Sequence, residues 1–143
     1  MEANPTLRVS VVSAEREIYA GQAQAVFAPA ANGDIGVLPR HAPLLSLLRP
    51  GEVVVRTPEG VDEAFYVNGG VLEVQPAAVT ILSDTALRAH DLDEAAVLAA
   101  KERAEKLMHD HQADLDYARA QVELAEAVAQ LATIQRLRRR SGR

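Results

Sequence analysis

Three places in this chain carry side chains whose type and spacing could do chemistry. His109 and His111 place two imidazoles two positions apart, a possible start of a metal site. Alternate positions in a polar connection read instead as a solvated turn, and no metal site is assigned. In Gly33-Asp34-Ile35-Gly36-Val37-Leu38-Pro39-Arg40-His41-Ala42-Pro43, two glycines bracket Asp34-Ile35 as a tight turn requires, and the prolines stiffen the segment presenting Arg40 and His41. Arg136, Arg138, Arg139, Arg140 and Arg143 put five cations into the last eight residues. Such a run complements the negative end of a helix, and it also suits docking to an acidic protein surface. Ser, His and Asp are present, but no Gly-x-Ser-x-Gly elbow and no Gly-x-x-x-x-Gly-Lys phosphate loop occurs. No catalytic residue and no cofactor are therefore assigned.

The elements that must position these groups change character at Ala77. All seven prolines and seven of the eight glycines precede that residue, and residues 77 to 141 contain neither. The front half reads as strands and turns, the back half as helix. Leu7-Arg8-Val9-Ser10-Val11 alternates apolar with polar, the period of a half-buried strand. Glu52 to Arg56 and Ala64 to Val67 flank Thr57-Pro58-Glu59-Gly60 and predict a hairpin. Gly70 to Val74 and Val79 to Leu82 flank Pro76 and predict another. Gly69-Gly70 would permit a bulge or a close backbone approach. The expected fold is an N-terminal antiparallel β-sandwich or barrel of about ten short strands, followed by a C-terminal antiparallel two-helix hairpin, with domains at 1–90 and 91–143.

In the second domain Asp91 and Glu94 fit a capping box. Ala96, Ala100, Ala104 and Leu107 step along one helix face. His109-Asp110-His111-Gln112 reads as the connection, and Asp114 as the cap of a second helix. There Val122, Ala125, Ala129 and Ala132 form one face, and Leu124, Ala127, Leu131 and Ile134 another. Small facing residues let two helices approach closely, but their burial returns little, so the hairpin is expected to be a weakly held, mobile arm.

Composition sets outer limits. The 143 residues suffice for one modest core and an appendage. The net charge of −5 and the 3 % aromatic content argue against nucleic-acid binding. The absence of cysteine excludes disulfides and thiol chemistry. No stretch reads as a membrane span or signal peptide, so membrane association is expected only through a partner.

Four blocks in order resemble the bacterial F-type ATP synthase epsilon subunit: Val11-Val12-Ser13-Ala14-Glu15, the Gly33 to Leu45 segment, Asn68-Gly69-Gly70-Val71-Leu72-Glu73-Val74, and Asp91-Leu92-Asp93-Glu94-Ala95. The resemblance spans about Leu7 to Leu137. It implies a non-catalytic central-rotor subunit at the cytoplasmic face of the bacterial inner membrane. Its barrel would bind the gamma subunit and the c-ring and couple ion flow to ATP synthesis in the alpha/beta catalytic hexamer. Its hairpin would fold against the barrel or extend to suppress hydrolysis. The c-ring-facing loop would comprise Asn32, Gly33, Asp34, Arg40 and His41, with Arg40 standing where the family usually has glycine. Arg136, Arg138, Arg139 and Arg140 would meet an acidic surface on a catalytic beta subunit.

Some members of that family bind ATP through a first-helix motif of Leu or Ile, Asp, two variable positions, Arg and Ala. Here Leu92 and Asp93 match, while Ala96 replaces the arginine and Val97 the alanine. Glu126 and Gln130 fall at arginine positions of those members, and Arg103 matches a basic one. The site is thus degenerate, stripped of most phosphate neutralisation. A transcription-elongation-type factor with Asp110 at its hairpin tip is the alternative, against which stand the barrel-first order and the lack of an acidic pair at the tip.

Overall fold

A computed structural model describes residues 4–110 and 114–141. The chain divides into two compact units, Met1–Arg88 and Ala89–Arg143. The first holds eight strands: β1 (Leu7–Val12), β2 (Glu17–Ala23), β3 (Ala25–Ala30), β4 (Gly33–Val37), β5 (Leu44–Arg56), β6 (Asp62–Gln75), β7 (Ala78–Leu82) and β8 (Ala86–Arg88). Strand order is β2-β1-β7-β6-β5-β3-β4, with β8 also on β6. Both predicted hairpins form, β5 with β6 and β6 with β7. The expected count of about ten falls to eight because β5 and β6, at 13 and 14 residues, each run through what reads in sequence as two short strands.

One pairing departs from the antiparallel expectation. β1 lies parallel to β7, Val9 beside Val79 and Val11 beside Ile81, joining the beginning of the unit to its end. Alternation makes the core: Leu7, Val9 and Val11 point inward from β1 and meet Val53, Val55, Phe65, Val67, Leu72 and Ile81, all buried. Each such side chain contributes about 1.5–3 kcal/mol on burial. Arg56 and Asp62 close the β5–β6 turn with a 2.9 Å ion pair, which holds the Arg56 guanidinium still more firmly protonated.

Two glycines of the sequence blocks are explained by space. Gly36 lies under the Phe27 ring, where a Cβ would come within 3.2 Å. Gly70 has φ +118, and a Cβ there would collide with the Leu82 carbonyl and lie 2.9 Å from Ser83 Cα. This is the close backbone approach that the glycine pair implies. Beside it the Ser83 hydroxyl proton is shared between Asn68 Oδ1 and the Thr85 carbonyl, each 2.9 Å away. The Thr85 N–H also donates to Asn68 Oδ1 at 3.0 Å. The expected Gly33–Gly36 turn is not where it forms. Gly33 to Val37 is strand β4, Ala30 pairs with Gly33, and Ala31-Asn32 make the turn.

The second unit opens with a 3-10 turn, Ala89–Asp91, and holds α1 (Glu94–Asp110) and α2 (Asp114–Ser141). The cap of α1 is Asp93, not Asp91. Its Oδ1 accepts the Ala95 and Ala96 amides at 3.0 and 3.3 Å. Asp91 is spent in the preceding turn, so the capping box does not form. The apolar stripe is also shifted: Val97 and Ala104 are buried, while Ala96 and Leu107 are exposed. On α2 the Leu124, Ala127, Leu131 and Ile134 face is the one turned inward, with Ala120. Of the other face, Val122, 59 % exposed, and Ala125 point outward, while Ala129 and Ala132 are half-buried. Val97, Ala127 and Ile134 pack together with Leu92 and Leu131. Helix α1 continues through His109 and Asp110, so the connection starts later than expected. His111 and Gln112 lie outside the described residues, as does the Asp114 side chain.

Replacing Gly70 by alanine is expected to cost about 3 kcal/mol or more, because both the left-handed backbone and the Leu82 carbonyl oppose a Cβ. A urea titration followed by the β-sheet circular dichroism signal measures the loss.

Candidate functional site

Asn32 lies in the β3–β4 turn, and Gly33 and Asp34 open β4 just after it. The short hairpin leaves Asp34 projecting, its side chain 81 % exposed, and Arg49 reaches across from β5 to pair with it at 2.6 Å. Arg49 Nε donates to the Ala30 carbonyl at 2.9 Å, so one guanidinium braces the turn from both sides. Sequence reasoning missed this partner because Arg49 lies 15 residues away on another strand.

Arg40 and His41 come from the segment that leaves β4 and enters β5. The Arg40 N–H donates to the Pro76 carbonyl at 2.8 Å, and the His41 N–H to the Leu38 carbonyl at 3.2 Å. His41 Nδ1 sits 2.7 Å from the Ala42 carbonyl, which places a proton on that nitrogen. Arg40 has φ 68, a left-handed conformation that suits glycine and costs other residues about 1 kcal/mol or more. The arginine therefore leaves a glycine-type turn in place and adds an exposed cation to it. Among the described residues no hydrogen bond or ion pair joins Asp34 to Arg40 or His41, so the two groups are fixed separately, one to Arg49 and one to Pro76. Nearby in sequence, Leu45 and Leu47 share one face of β5 and are 71 % and 66 % exposed, with Leu38 at 62 %. Two large apolar side chains exposed on one strand face suit contact with a protein partner.

On the second unit, Leu92 is part of the apolar cluster and the Asp93 carboxylate is occupied in capping α1. Arg103 is exposed two to three turns further along α1, and Ala96 is exposed. These positions do not converge on a cationic pocket. Of the carboxyl-terminal arginines, Arg136 and Arg139 are exposed, Arg140 is partly covered, and Arg143 lies outside the described residues. Arg138 is engaged: its guanidinium grips both carboxylate oxygens of Glu94, with Nη1 3.2 Å from Oε1. The sequence gives no local sign of this pair, which spans 44 positions. His109 is exposed on α1, and no cluster of three or more His, Cys, Asp or Glu able to hold a metal occurs among the described residues. No helix among them is long and apolar enough to cross a membrane.

A sandwich with projecting turns, continued into a two-helix arm with a cationic end, defines an assembly subunit whose working parts are surfaces. The family model described as ATP synthase, Delta/Epsilon chain, beta-sandwich domain matches residues 6–89, and its companion, the long alpha-helix domain, matches residues 90–135. The chain belongs to this ATP synthase delta/epsilon family. Its relatives include the ATP synthase epsilon chain of Nitrosococcus oceani, 58 % identical over 96 % of this chain and 98 % of that one. The epsilon chain of Halorhodospira halophila is likewise 58 % identical, over 96 % and 99 %. The fold is shared with a chain in the mitochondrial ATP synthase structure of Euglena gracilis, at TM-score 0.84, 18 % identity and 94 % and 84 % coverage. The polymerase-factor alternative gives way to this membership.

Arg40→Gly is expected to stabilise the barrel by about 1 kcal/mol, since glycine adopts φ 68 without strain. Asp34→Asn is expected to cost less than about 1 kcal/mol, because the Arg49 pair is exposed. Denaturant midpoints of the two variants provide the check.

Proposed function

We propose that this chain is a non-catalytic central-rotor subunit of a bacterial F-type ATP synthase, held peripherally at the cytoplasmic face of the inner membrane through the complex. The observation that carries this reading is the match to ATP synthase epsilon chains along nearly the whole sequence, sandwich and helical arm together. The barrel binds the gamma subunit and the c-ring, so that ion translocation turns a rigid body engaged with the alpha/beta hexamer. The Asn32 to Asp34 turn and the Arg40-His41 segment face the ring. A braced turn and a backbone-pinned segment suit that task, because a loop that transmits torque must not yield under load.

The helical arm inhibits ATP hydrolysis by extending beside gamma, where Arg136, Arg138, Arg139 and Arg140 meet acidic groups of a beta subunit. Helix α2, at 28 residues, is about 42 Å long, enough to reach into a catalytic hexamer. The interface between α1 and α2 is made largely of alanine and a few aliphatic side chains, which keeps the cost of separating them low. ATP binding by this subunit is weak, since Ala96, Glu126 and Gln130 supply no cation for phosphate and Asp93 is committed to a helix cap.

In the assembled complex, replacing Arg136, Arg139 and Arg140 together by alanine is expected to raise ATP hydrolysis severalfold and leave coupling intact, with each single change doing little because an exposed pair is worth about 0 to 1 kcal/mol. Added salt reproduces part of the effect in the native complex. Hydrolysis assays across ionic strength measure both, and an unchanged rate in the triple variant returns the cluster to a dipole-complementing helix end. Calorimetry on the isolated chain is expected to find ATP binding weaker than about 0.1 mM, and a low-micromolar constant would mean that other residues build a site.

A further inference from the structure

Helices α1 and α2 run antiparallel, so Glu94 at the start of one and Arg138 near the end of the other meet at the open end of the hairpin, far along both helices from their connection. The contact is two-pronged, Arg138 Nη1 to Glu94 Oε1 and Nη2 to Oε2. A bidentate fork of this kind is directional as well as attractive. Each partner is also well placed for its own helix, the carboxylate in a first turn and the guanidinium in a last turn. Just inside the pair the apolar cluster is small, Val97 against Ala127 and Ile134 with Leu92 and Leu131. The ion pair adds a directional contact at an end of the hairpin where few apolar side chains meet.

Resting on the inhibitory reading above, we propose that Glu94 and Arg138 form an ionic clasp on the closed hairpin, and that an acidic partner surface must displace Glu94 to take the Arg138 guanidinium. Opening and docking then share one side chain. The Nη1–Nη2 edge is filled by Glu94, so a partner carboxylate takes that edge only as the hairpin parts. Both side chains are partly exposed, 63 % and 36 %, which leaves the pair open to competition by a second carboxylate and by salt. The clasp thus holds one of the four arginines in reserve while Arg136 and Arg139 remain on the surface.

The chain has no cysteine, so spin labels can be placed cleanly at exposed Ala99 and Gln135. Electron-electron distance measurement on the full-length chain is expected to give a larger open fraction in Glu94→Gln, by about two- to fivefold in the open-to-closed ratio. Arg138→Gln should do the same, and the double variant should open no further than either single, because both remove one interaction. Salt should raise the open fraction of the native chain and not of Glu94→Gln. An unchanged ratio in Glu94→Gln, or single effects that multiply in the double variant, overturns the clasp. Should Glu94→Gln lose helical circular dichroism, Arg138→Lys, which keeps the charge and loses the fork, is expected to open the hairpin to an intermediate degree, and a native ratio there overturns the proposal equally. Hydrolysis by the reconstituted complex separates the two layers. Glu94→Gln frees Arg138 for docking and should lower the rate. Wider label distances with a native rate would leave the clasp standing and remove the inhibitory reading.

Discussion

Everything in the first unit hangs on the ladder between β5 and β6. Their register runs unbroken in direction from Leu44 opposite Val74 to Arg56 opposite Asp62; β3, β7 and β8 attach to them directly, β4 follows through β3, and β1 and β2 follow through β7. Two strands of 13 and 14 residues are too long for one flat layer of a small sandwich, and β6 changes partners along its length. β6 carries β8 along its first half, at Phe65 to Val67, and β7 along its second, from Val71 to Gln75. The switch falls at Asn68-Gly69-Gly70, where two consecutive positive φ values and the lack of side chains let the strand bend beside Leu82 and Ser83. The Asn68, Ser83 and Thr85 hydrogen bonds then fix the crossing strand against that bend. A rigid barrel is the result, and its turns inherit their positions from it.

The second unit obeys different physics. Its helices meet through Ala104, Ala120 and Ala127, residues that allow close approach and bury little area. Thr133, fully buried, satisfies its hydroxyl on the Ala129 carbonyl of its own helix, so it adds no bond between helices. At the open end Glu94 and Arg138 add an exposed ion pair to that packing. A pairing made this way is correct in geometry and modest in strength.

The Arg40 segment illustrates how a residue other than glycine is held in a left-handed turn. Replacing glycine by arginine in a left-handed turn normally relaxes the turn. Here the Arg40 amide bond to Pro76 and the neighbouring prolines hold the backbone at φ 68. The strain remains, and the gain is a cation on a surface whose acidic neighbour Asp34 is already neutralised by Arg49.

Much of this was written in local sequence. Proline and glycine, confined to the first half, separate a β unit from a helical one, and the alternation in Leu7 to Val11 assigns the core face of β1. The Gly70 block announces a close backbone approach. What local sequence could not decide are the choices made between distant segments. Asp91 and Asp93 are equally able to cap a helix, and the turn at Ala89 selected Asp93. The Ala96 and Val97 stripes differ by one position, and the partner helix selected the second. Arg49 with Asp34, Arg138 with Glu94, and β1 beside β7 join residues from 15 to about 70 positions apart, and no short-range pattern encodes such pairings. Local propensity specifies which elements form, while packing and long-range charge specify which faces and side chains meet.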